Sequence, residues 1–261
     1  MAGKITTRKD GAIGWLIFDN PERRNAVSLE MWEAIPVVLD DFEGDPGIRV
    51  IVLTGAGEKA FVSGADISQF EERRSSPELI EAYDRVSGTG RQRLRDATKP
   101  TLAMIRGYCI GGGLSTALAC DLRVASDDAR FGIPAAKLGI GYRYGAVREL
   151  VNVIGPAYAR EVLFTGRQFS AEEALRMGLV NRVTAGVRLE EEVRGYCDAM
   201  AANAPLSIRA AAFVIRELGK DESERDRAAC DAAVAACFTS ADYVEGRTAF
   251  MEKRRPVFMG S

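Results

Sequence analysis

The sequence predicts an α/β fold, because short β-branched runs alternate with helical patterns along residues 1–200 of the 261-residue chain. Alternation of this kind is typical of parallel strands joined by right-handed crossover connections. The composition permits a large core, since 47% of the residues are hydrophobic and a chain near 300 residues buries about three quarters of the surface of its unfolded state. No sequence repeat of fixed period is visible.

The N-terminal part predicts a β-hairpin followed by a helix. Residues 4–19 contain two strand patterns that the turn signal Asp10-Gly11 separates. Ser28 is a suitable N-cap for the helix that follows, and Pro36 is expected to bend that helix or to disturb its first turns. The apolar residues at helical spacing are Met31, Ile35, Val38 and Phe42.

The chain is predicted to divide into a core at residues 1–200 and a helical region at residues 201–261. A capping box of Ser170 and Glu173 begins a short helix before the boundary. After the boundary the sequence is Ala-rich and lacks strand signals, and such a small helical group cannot bury its apolar faces alone, so it should dock on the core or on another copy of the chain. Further strands are predicted at residues 49–53, 101–105, 122–125 and 179–183, and the C-terminal helices at 205–218, 222–238 and 241–254.

Composition excludes several classes of function. The 35 basic and 37 acidic residues give a net charge of -2, so we expect neither a nucleic acid nor an anionic membrane as a partner. The chain has no histidine, which excludes a His-based triad, a His general base and His-containing metal sites. Five cysteines without CxxC spacing suggest no disulfide framework and no thiolate metal site, and they fit a reducing cytoplasm. No segment has the pattern of a membrane span.

Two glycine-containing turns carry the strongest functional signal. Residues 63–67 follow an apolar strand pattern, and residues 107–115 contain a glycine run that opens a helix. Glycine permits close approach of the backbone, and unpaired amides at a helix start can hold an anion. Neither GxGxxG nor a P-loop sequence occurs, which argues against nucleotide binding. Two amides that point at one oxygen would form an oxyanion hole; ordinary tight turns are the alternative.

A series of short motifs occurs along the chain: NPERRNA at 20–26, SGADI at 63–67, GYCIGGG at 107–113, CD at 120–121, FG at 131–132 and LFTG at 163–166. In this order they resemble the motifs of the enoyl-CoA hydratase/isomerase, or crotonase, superfamily. The resemblance implies a spiral of repeated ββα units, a C-terminal helical trimerisation region, and an acyl-CoA substrate whose coenzyme A is the only cofactor, with none bound permanently. It also implies a homo-trimer or a dimer of trimers, and it places the thioester oxygen between the amides of Ala65 and Gly112.

The resemblance also implies contacts with coenzyme A. Two basic residues lie where the family often places a cation or backbone near the phosphates, and a following segment would line the adenine and pantetheine path. An aromatic and a basic residue near the C-terminus would reach the nucleotide end, often from a neighbouring subunit. These positions are Arg23 and Arg24, Asp66 and Ile67, and Phe250 and Lys253, respectively.

The chain departs from the hydratase pattern at both acid/base positions. Hydratases of the family carry glutamates where this chain has Ser115 and Ala135. A positioned acid or base accelerates a reaction by about 10²- to 10⁴-fold, so the loss of both should make hydration very slow. Ser115 is expected at most to hydrogen-bond a water, since no His or Lys is predicted beside it.

Three interpretations remain open. The first is an enzyme that stabilises an enolate of an acyl-CoA, with another carboxylate as its base; Asp66, Glu71, Glu72 and Glu149 are the candidates. The second is a decarboxylase of the methylmalonyl-CoA type, because Tyr142, followed by Arg143, falls where such members carry a tyrosine. The third is a CoA-thioester binding protein without catalysis. Pocket size should depend on residues 69–91, a polar and weakly patterned stretch.

Overall fold

Two β-sheets and the helices between their strands form the core of the structure. The computed structural model describes residues 3–65 and 76–261. Within them a six-stranded sheet has the order β1-β2-β3-β5-β7-β10, and a four-stranded sheet has the order β4-β6-β8-β9. The strands are β1 (Lys4–Asp10), β2 (Ile13–Asp19), β3 (Val50–Gly55), β4 (Ala60–Val62), β5 (Thr101–Ile105), β6 (Tyr108–Ile110), β7 (Leu122–Ser126), β8 (Arg130–Gly132), β9 (Phe169–Ser170) and β10 (Arg182–Thr184).

Helices follow successive strand pairs and then fill the C-terminal part of the chain. A 3-10 helix at Pro134–Leu138 also lies near the glycine turns. Among the described residues the α-helices are α1 (Leu29–Gly44), α2 (Pro77–Arg95), α3 (Gly112–Leu118), α4 (Tyr144–Thr165), α5 (Ala171–Arg176), α6 (Leu189–Ala201), α7 (Pro205–Leu218), α8 (Arg227–Phe238) and α9 (Ala241–Glu252).

The strand pairing confirms the expected spiral of ββα units. After the antiparallel hairpin of β1 and β2, the strands β2, β3, β5, β7 and β10 pair in parallel. The pairs β3 and β4, β5 and β6, and β7 and β8 each add one strand to the six-stranded sheet and the next to the four-stranded sheet, whereas β9 joins the four-stranded sheet before β10 joins the other. This arrangement is the one that the sequence resemblance implies.

The central strands are buried on both faces, which explains their continuous apolar sequences. Along β3, Val50 and Val52 contact α6, whereas Ile51 and Leu53 face the larger core shared with the four-stranded sheet. Because side chains alternate along a strand, two separate apolar clusters form on either side of one sheet.

Local sequence signals place several helix starts correctly. The Ser28 hydroxyl accepts a hydrogen bond from the amide of Met31, and Pro36 lies within the continuous helix α1. Ser170 and Glu173 form the predicted capping box of α5. The three C-terminal helices also occur close to their predicted bounds.

The strand predicted at residues 179–183 is displaced, since β10 spans Arg182–Thr184. Leu179 and Val180 are buried, but they precede the strand. The carbonyl of Leu179 accepts from the guanidinium of the buried Arg123, which also donates to the carbonyl of Cys120 at the end of α3. The backbone before β10 is therefore used to anchor α3 rather than to extend the sheet.

The sequence patterns did not predict helix α2, because its buried face is narrow and partly polar. That face contains Tyr83, Ser87, Gly90 and Leu94, at helical spacing. A Cβ at Gly90 would lie 3.0 Å from Cε3 of the Trp32 ring, so glycine allows α2 to approach α1 closely. Two small residues in the stripe hide the apolar periodicity that predicts a helix.

The C-terminal helices enclose an apolar groove of about 890 Å³. Phe238 and Phe250, which line it, are 62% and 83% exposed. Contacts with the core include hydrogen bonds from Arg216 to the carbonyl of Ala97 and from Arg49 to the carbonyl of Phe258. Trimerisation through this region stays a prediction. None of the helices in the described part of the chain is long and apolar enough to cross a membrane.

Candidate active site

The two glycine turns meet because they follow neighbouring strands that run in the same direction. Strand β4 pairs in parallel with β6, with Ala60 opposite Tyr108 and Val62 near Cys109. The carboxyl ends of parallel strands meet at one edge of a sheet, so the turns that leave them lie side by side. Both turns need glycine, since Gly64 and Gly111 have φ angles of 123° and 56°.

The amides of Ala65 and Gly112 lie next to each other. A Cβ built on Gly112 would stand 3.7 Å from the amide nitrogen of Ala65. Gly112 is the first residue of α3, and Ala65 is paired with Val27, whose amide donates to the carbonyl of Gly64 at 2.9 Å. Within residues 3–65 and 76–261, neither amide donates to a backbone or side-chain acceptor. Two adjacent donors are therefore available.

Helix α3 reaches this position because Gly113 has no side chain. A Cβ at Gly113 would stand 2.0 Å from the carbonyl oxygen of Val62, a distance that no side chain tolerates. The amide of Gly111 donates to the carbonyl of Gly132 at 2.8 Å, which ties the same turn to the end of β8. The glycine run thus allows α3 to pack closely against β4, and it also supplies the amide of Gly112.

The Asn-Pro motif supports the first turn through Asn25, a residue to which sequence analysis assigned no role. Asn25 is buried, with a φ of 56°. Its Nδ2 donates to the carbonyls of Ala56 and Ala60 at 2.9 and 2.8 Å, and its Oδ1 accepts from the amide of Asn20 at 3.0 Å. The sequence could have indicated this role, because asparagine is enriched among residues with left-handed backbone conformation.

The arginines at the start of the same motif lie on the surface beside the site. Arg23 and Arg24 are exposed, and the guanidinium of Arg24 stacks on the ring of Tyr108 at 4.6 Å. The carbonyl of Arg24 accepts from the amide of Ser63 at 3.1 Å. The pair is therefore positioned beside the strands β4 and β6. The other two predicted contacts of this group, Asp66 and Ile67, lie outside the described residues.

Phe250 and Lys253 lie in another part of the chain. Both are exposed at the end of α9, and Lys253 ends the helix with a φ of 55°. The groove that Phe250 lines is formed by the C-terminal helices and Phe258, and it contains no residue of either glycine turn. Within one chain these positions are separate from the paired amides.

The two positions that differ from the hydratase pattern lie close to the amides and are buried. Ser115 follows one turn after Gly112, and its hydroxyl is 3.5 Å from the carbonyl oxygen of Gly111, at the limit of a hydrogen bond. Ala135 lies in the 3-10 helix that begins two residues after Gly132. Their exposed fractions are 6% and 9%, and neither side chain carries a carboxylate that could act as an acid or a base.

Tyr142 belongs to a loop that folds back on Ala135. The amide of Ile140 donates to the carbonyl of Ala135 at 3.0 Å, and Tyr142 is partly buried against the main core. The next residue, Arg143, forms an ion pair with Asp84 of α2 at 2.7 Å. The structure therefore brings Tyr142 to the same region as Ala135.

One candidate carboxylate is visible and the others are not. Glu149 of α4 pairs with Arg95 of α2, and burial raises the pKa of its carboxyl. Asp66, Glu71 and Glu72 lie outside the described residues. Glu149 therefore bridges two helices and is engaged by a guanidinium.

The cysteines near the site are not activated, and the described residues form no metal-binding cluster. Burial raises the pKa of the Cys109 thiol beside the second turn, and it raises the pKa of Cys120 to about 12. Both thiols are therefore protonated at neutral pH. No group of three or more Cys, Asp or Glu side chains is arranged to hold a metal ion in the described part of the chain.

Comparisons with known proteins agree with this fold. The family model described as enoyl-CoA hydratase/isomerase matches residues 8–261. The short-chain-enoyl-CoA hydratase of Clostridium acetobutylicum is 32% identical over 96% of this chain and 95% of that protein. The carnitinyl-CoA dehydratase of Proteus mirabilis is 36% identical over 98% of this chain and 97% of that protein.

A solved structure shows the same architecture. The crystal structure of the enoyl-CoA hydratase from Bacillus anthracis superposes with a TM-score of 0.92 at 29% identity, covering 99% of this chain and 100% of that chain. The chain belongs to the enoyl-CoA hydratase/isomerase family, whose enzymes act on CoA thioesters. The resemblance seen in the sequence motifs is thereby confirmed.

Replacement of Asn25 tests whether this side chain holds the first turn. Asn25→Ala removes three hydrogen bonds and places alanine, which lacks the side-chain hydrogen bonds of asparagine, in the left-handed region. The free energy of unfolding should therefore fall by about 3–4 kcal/mol. Asn203→Ala, on an exposed asparagine, should change it by less than about 0.5 kcal/mol. Urea denaturation measures both. A loss below about 1 kcal/mol in Asn25→Ala would show that the turn does not depend on it.

Proposed function

We propose that the chain binds an acyl-CoA thioester and stabilises negative charge on its carbonyl oxygen between the amides of Ala65 and Gly112. The observation that carries the proposal is the pair of adjacent donors, 3.7 Å from the Gly112 Cβ position to the Ala65 nitrogen. Membership of the enoyl-CoA hydratase/isomerase family supports a CoA thioester as the ligand. The reaction would pass through an enolate, in which the oxygen between the amides carries the charge.

The energetic contribution of such a pair is large. Amides that are fixed by the backbone need no reorganisation when charge develops, and each donor contributes on the order of 3 kcal/mol to lowering the barrier. The turns are held by parallel pairing, by Asn25 and by the hydrogen bond from Gly111 to Gly132. This rigidity favours the transition state over the neutral thioester, whose carbonyl oxygen carries less charge.

Coenzyme A would lie along the surface that carries Arg23 and Arg24. Their exposed guanidinium groups beside β4 and β6 suit phosphate oxygens, which arginine binds through charge-assisted hydrogen bonds. Phe250 and Lys253 would contact the nucleotide end from a neighbouring copy, because within one chain Phe250 lines a different groove and Lys253 follows it at the end of α9. A trimer, or a dimer of trimers, would bring such a copy to the site.

Proton chemistry at this site would differ from that of a two-glutamate hydratase. Ser115 and Ala135 supply no carboxylate, and each missing acid or base costs about 10² to 10⁴ in rate. Ser115 can position a water through its hydroxyl, and Ala135 can take no part in proton transfer. Efficient hydration of an enoyl-CoA is therefore not the reaction that we propose.

Decarboxylation is the second candidate, and the position of Tyr142 favours it. The tyrosine follows two residues after Ile140, whose amide donates to the carbonyl of Ala135. In this reaction the carbon–carbon bond to the carboxylate breaks, carbon dioxide leaves, and the electron pair forms the enolate held by the two amides. A proton donor such as the tyrosine hydroxyl or a water then protonates the carbon, so no carboxylate base is needed.

Removal of one amide tests the oxyanion hole. Gly112→Pro keeps a conformation that the first position of a helix tolerates but deletes the donor, so turnover of the true substrate should fall by about 10²- to 10³-fold. Arg227→Pro, at the same position of α8, should leave turnover unchanged. Thermal unfolding verifies that both variants are folded. Equal turnover in Gly112→Pro and the unaltered protein would remove this amide from the mechanism.

Two substrates separate the candidate reactions. With crotonyl-CoA we expect hydration at least about 10⁴-fold slower than in an enzyme with both glutamates, because both acid/base groups are absent. With methylmalonyl-CoA, release of carbon dioxide that falls at least about tenfold in Tyr142→Phe would support decarboxylation. Rapid hydration of crotonyl-CoA would contradict our interpretation of Ser115 and Ala135. Binding of both esters with turnover of neither would favour a binding protein.

A further inference from the structure

Two ion pairs join α2 to α4 and to the loop before it. Arg143 pairs with Asp84 near the first half of α2, and Arg95 near its end pairs with Glu149. The pair of Arg95 and Glu149 is partly shielded from water, with side chains 29% and 21% exposed, whereas Arg143 is 74% exposed. Each of these four charged residues has a partner of opposite sign.

Arg91 lies between these ion pairs along α2, and it forms no ion pair with any residue of 3–65 or 76–261. Its guanidinium donates to the hydroxyl of Ser87 at 3.3 Å and stacks on the ring of Trp32 at 5.1 Å. The described residues place no carboxylate within 4.0 Å of it, whereas Arg95, one turn further along α2, is paired. Arg91 is only partly exposed, and burial lowers the pKa of its guanidinium. A hydroxyl and an aromatic face leave most of its five donors unused.

The unpaired cation is costly unless an anion completes the site. Removal of a charged group from water without a partner is unfavourable, and an opposite charge with good geometry offsets that loss. Tyr83, Tyr142 and Glu149 interact electrostatically with Arg91, but the carboxylate of Glu149 is engaged by Arg95. The region therefore has an excess of positive charge beside two aromatic rings.

Two neighbours of Arg91 lie on elements that lead to the proposed acyl site. Tyr142 is near enough to Arg91 to affect its pKa, and it follows two residues after Ile140, whose amide donates to the carbonyl of Ala135. On the other side, Trp32 belongs to α1, which begins directly after Val27 and Ser28, and Val27 pairs with Ala65. An acyl chain that starts at the amides of Ala65 and Gly112 would extend toward this cation.

We propose that Arg91 binds a carboxylate carried by the acyl group of the substrate, so that the chain acts on CoA thioesters of dicarboxylic acids. The inference rests on the function proposed above, and it adds the class of acyl group. A planar guanidinium matches a carboxylate through two parallel hydrogen bonds, which a lysine cannot reproduce. Trp32 behind the guanidinium and Ser87 beside it restrict its orientation.

Binding measurements with matched thioesters test this inference. Isothermal titration calorimetry is done with malonyl-, succinyl- and glutaryl-CoA, and with propionyl-, butyryl- and pentanoyl-CoA as neutral counterparts, in which a methyl group replaces the carboxylate. We expect at least one carboxylated ester to bind about tenfold or more tightly than its neutral counterpart. Arg91→Met should weaken binding of that ester by about 10- to 100-fold, the range for a hydrogen bond to a charged group, and change the neutral ester by less than about threefold.

Two further variants serve as controls. Arg85→Met removes the same charge from an exposed position of α2 and should leave every affinity unchanged. Arg91→Lys keeps the charge but loses the fork, so it should retain only part of the preference. Thermal unfolding verifies that each variant is folded.

The outcomes separate this inference from the proposed function. If the unaltered protein binds neutral and carboxylated esters equally well, or if Arg91→Met weakens both equally, the carboxylate site is refuted while thioester binding stands. An equal loss in Arg85→Met would also refute it, because the effect would be one of net charge. If no ester binds at all, the proposed function fails and the inference fails with it.

Discussion

The parallel pairing of β4 with β6 is the constraint on which the site depends. It brings the ends of two three-residue strands together, and the turns that follow present the amides of Ala65 and Gly112 side by side. Strands this short have few ladder hydrogen bonds of their own, so their position is fixed by neighbours. The side chain of Asn25 and the close approach of Gly113 to Val62 supply that support. The geometry of the donors is thus a property of the backbone, independent of any acid/base group.

This independence explains how a member of the family can differ in its chemistry. We infer that the chain uses the paired amides on the scaffold of the enoyl-CoA hydratase/isomerase family, and that Ser115 and Ala135 stand where the sequence resemblance implies glutamates in hydratases. In place of carboxylates beside the amides, the chain has Tyr142 and, beyond it, the cation of Arg91. An enolate formed by loss of a carboxylate, or an acyl group that carries one, is consistent with such surroundings.

The sequence predicts the parts of the structure that local signals control. The hairpin, the capped helices and the alternation of strands with helices follow from periodicity and from Ser28 and Ser170. The motifs also indicated both glycine turns, although spacing alone could not show that they meet, because that depends on the pairing of β4 with β6. Helix α2 was not predicted because Ser87 and Gly90 interrupt its buried apolar stripe. The lack of a described ion-pair partner for Arg91 can be seen only when the neighbouring residues are placed in three dimensions.

The vibrational frequency of a bound thioester carbonyl tests the central claim most directly. Butyryl-CoA labelled with ¹³C at the thioester carbon gives an isotope-edited infrared difference band for this bond alone. Two amide donors at Ala65 and Gly112 would polarise the carbonyl, so the band should lie at lower wavenumber in the complex than for the free ester in water, and Gly112→Pro should reduce the shift. A bound ester whose band matches that of the free ester, or lies above it, would contradict the account.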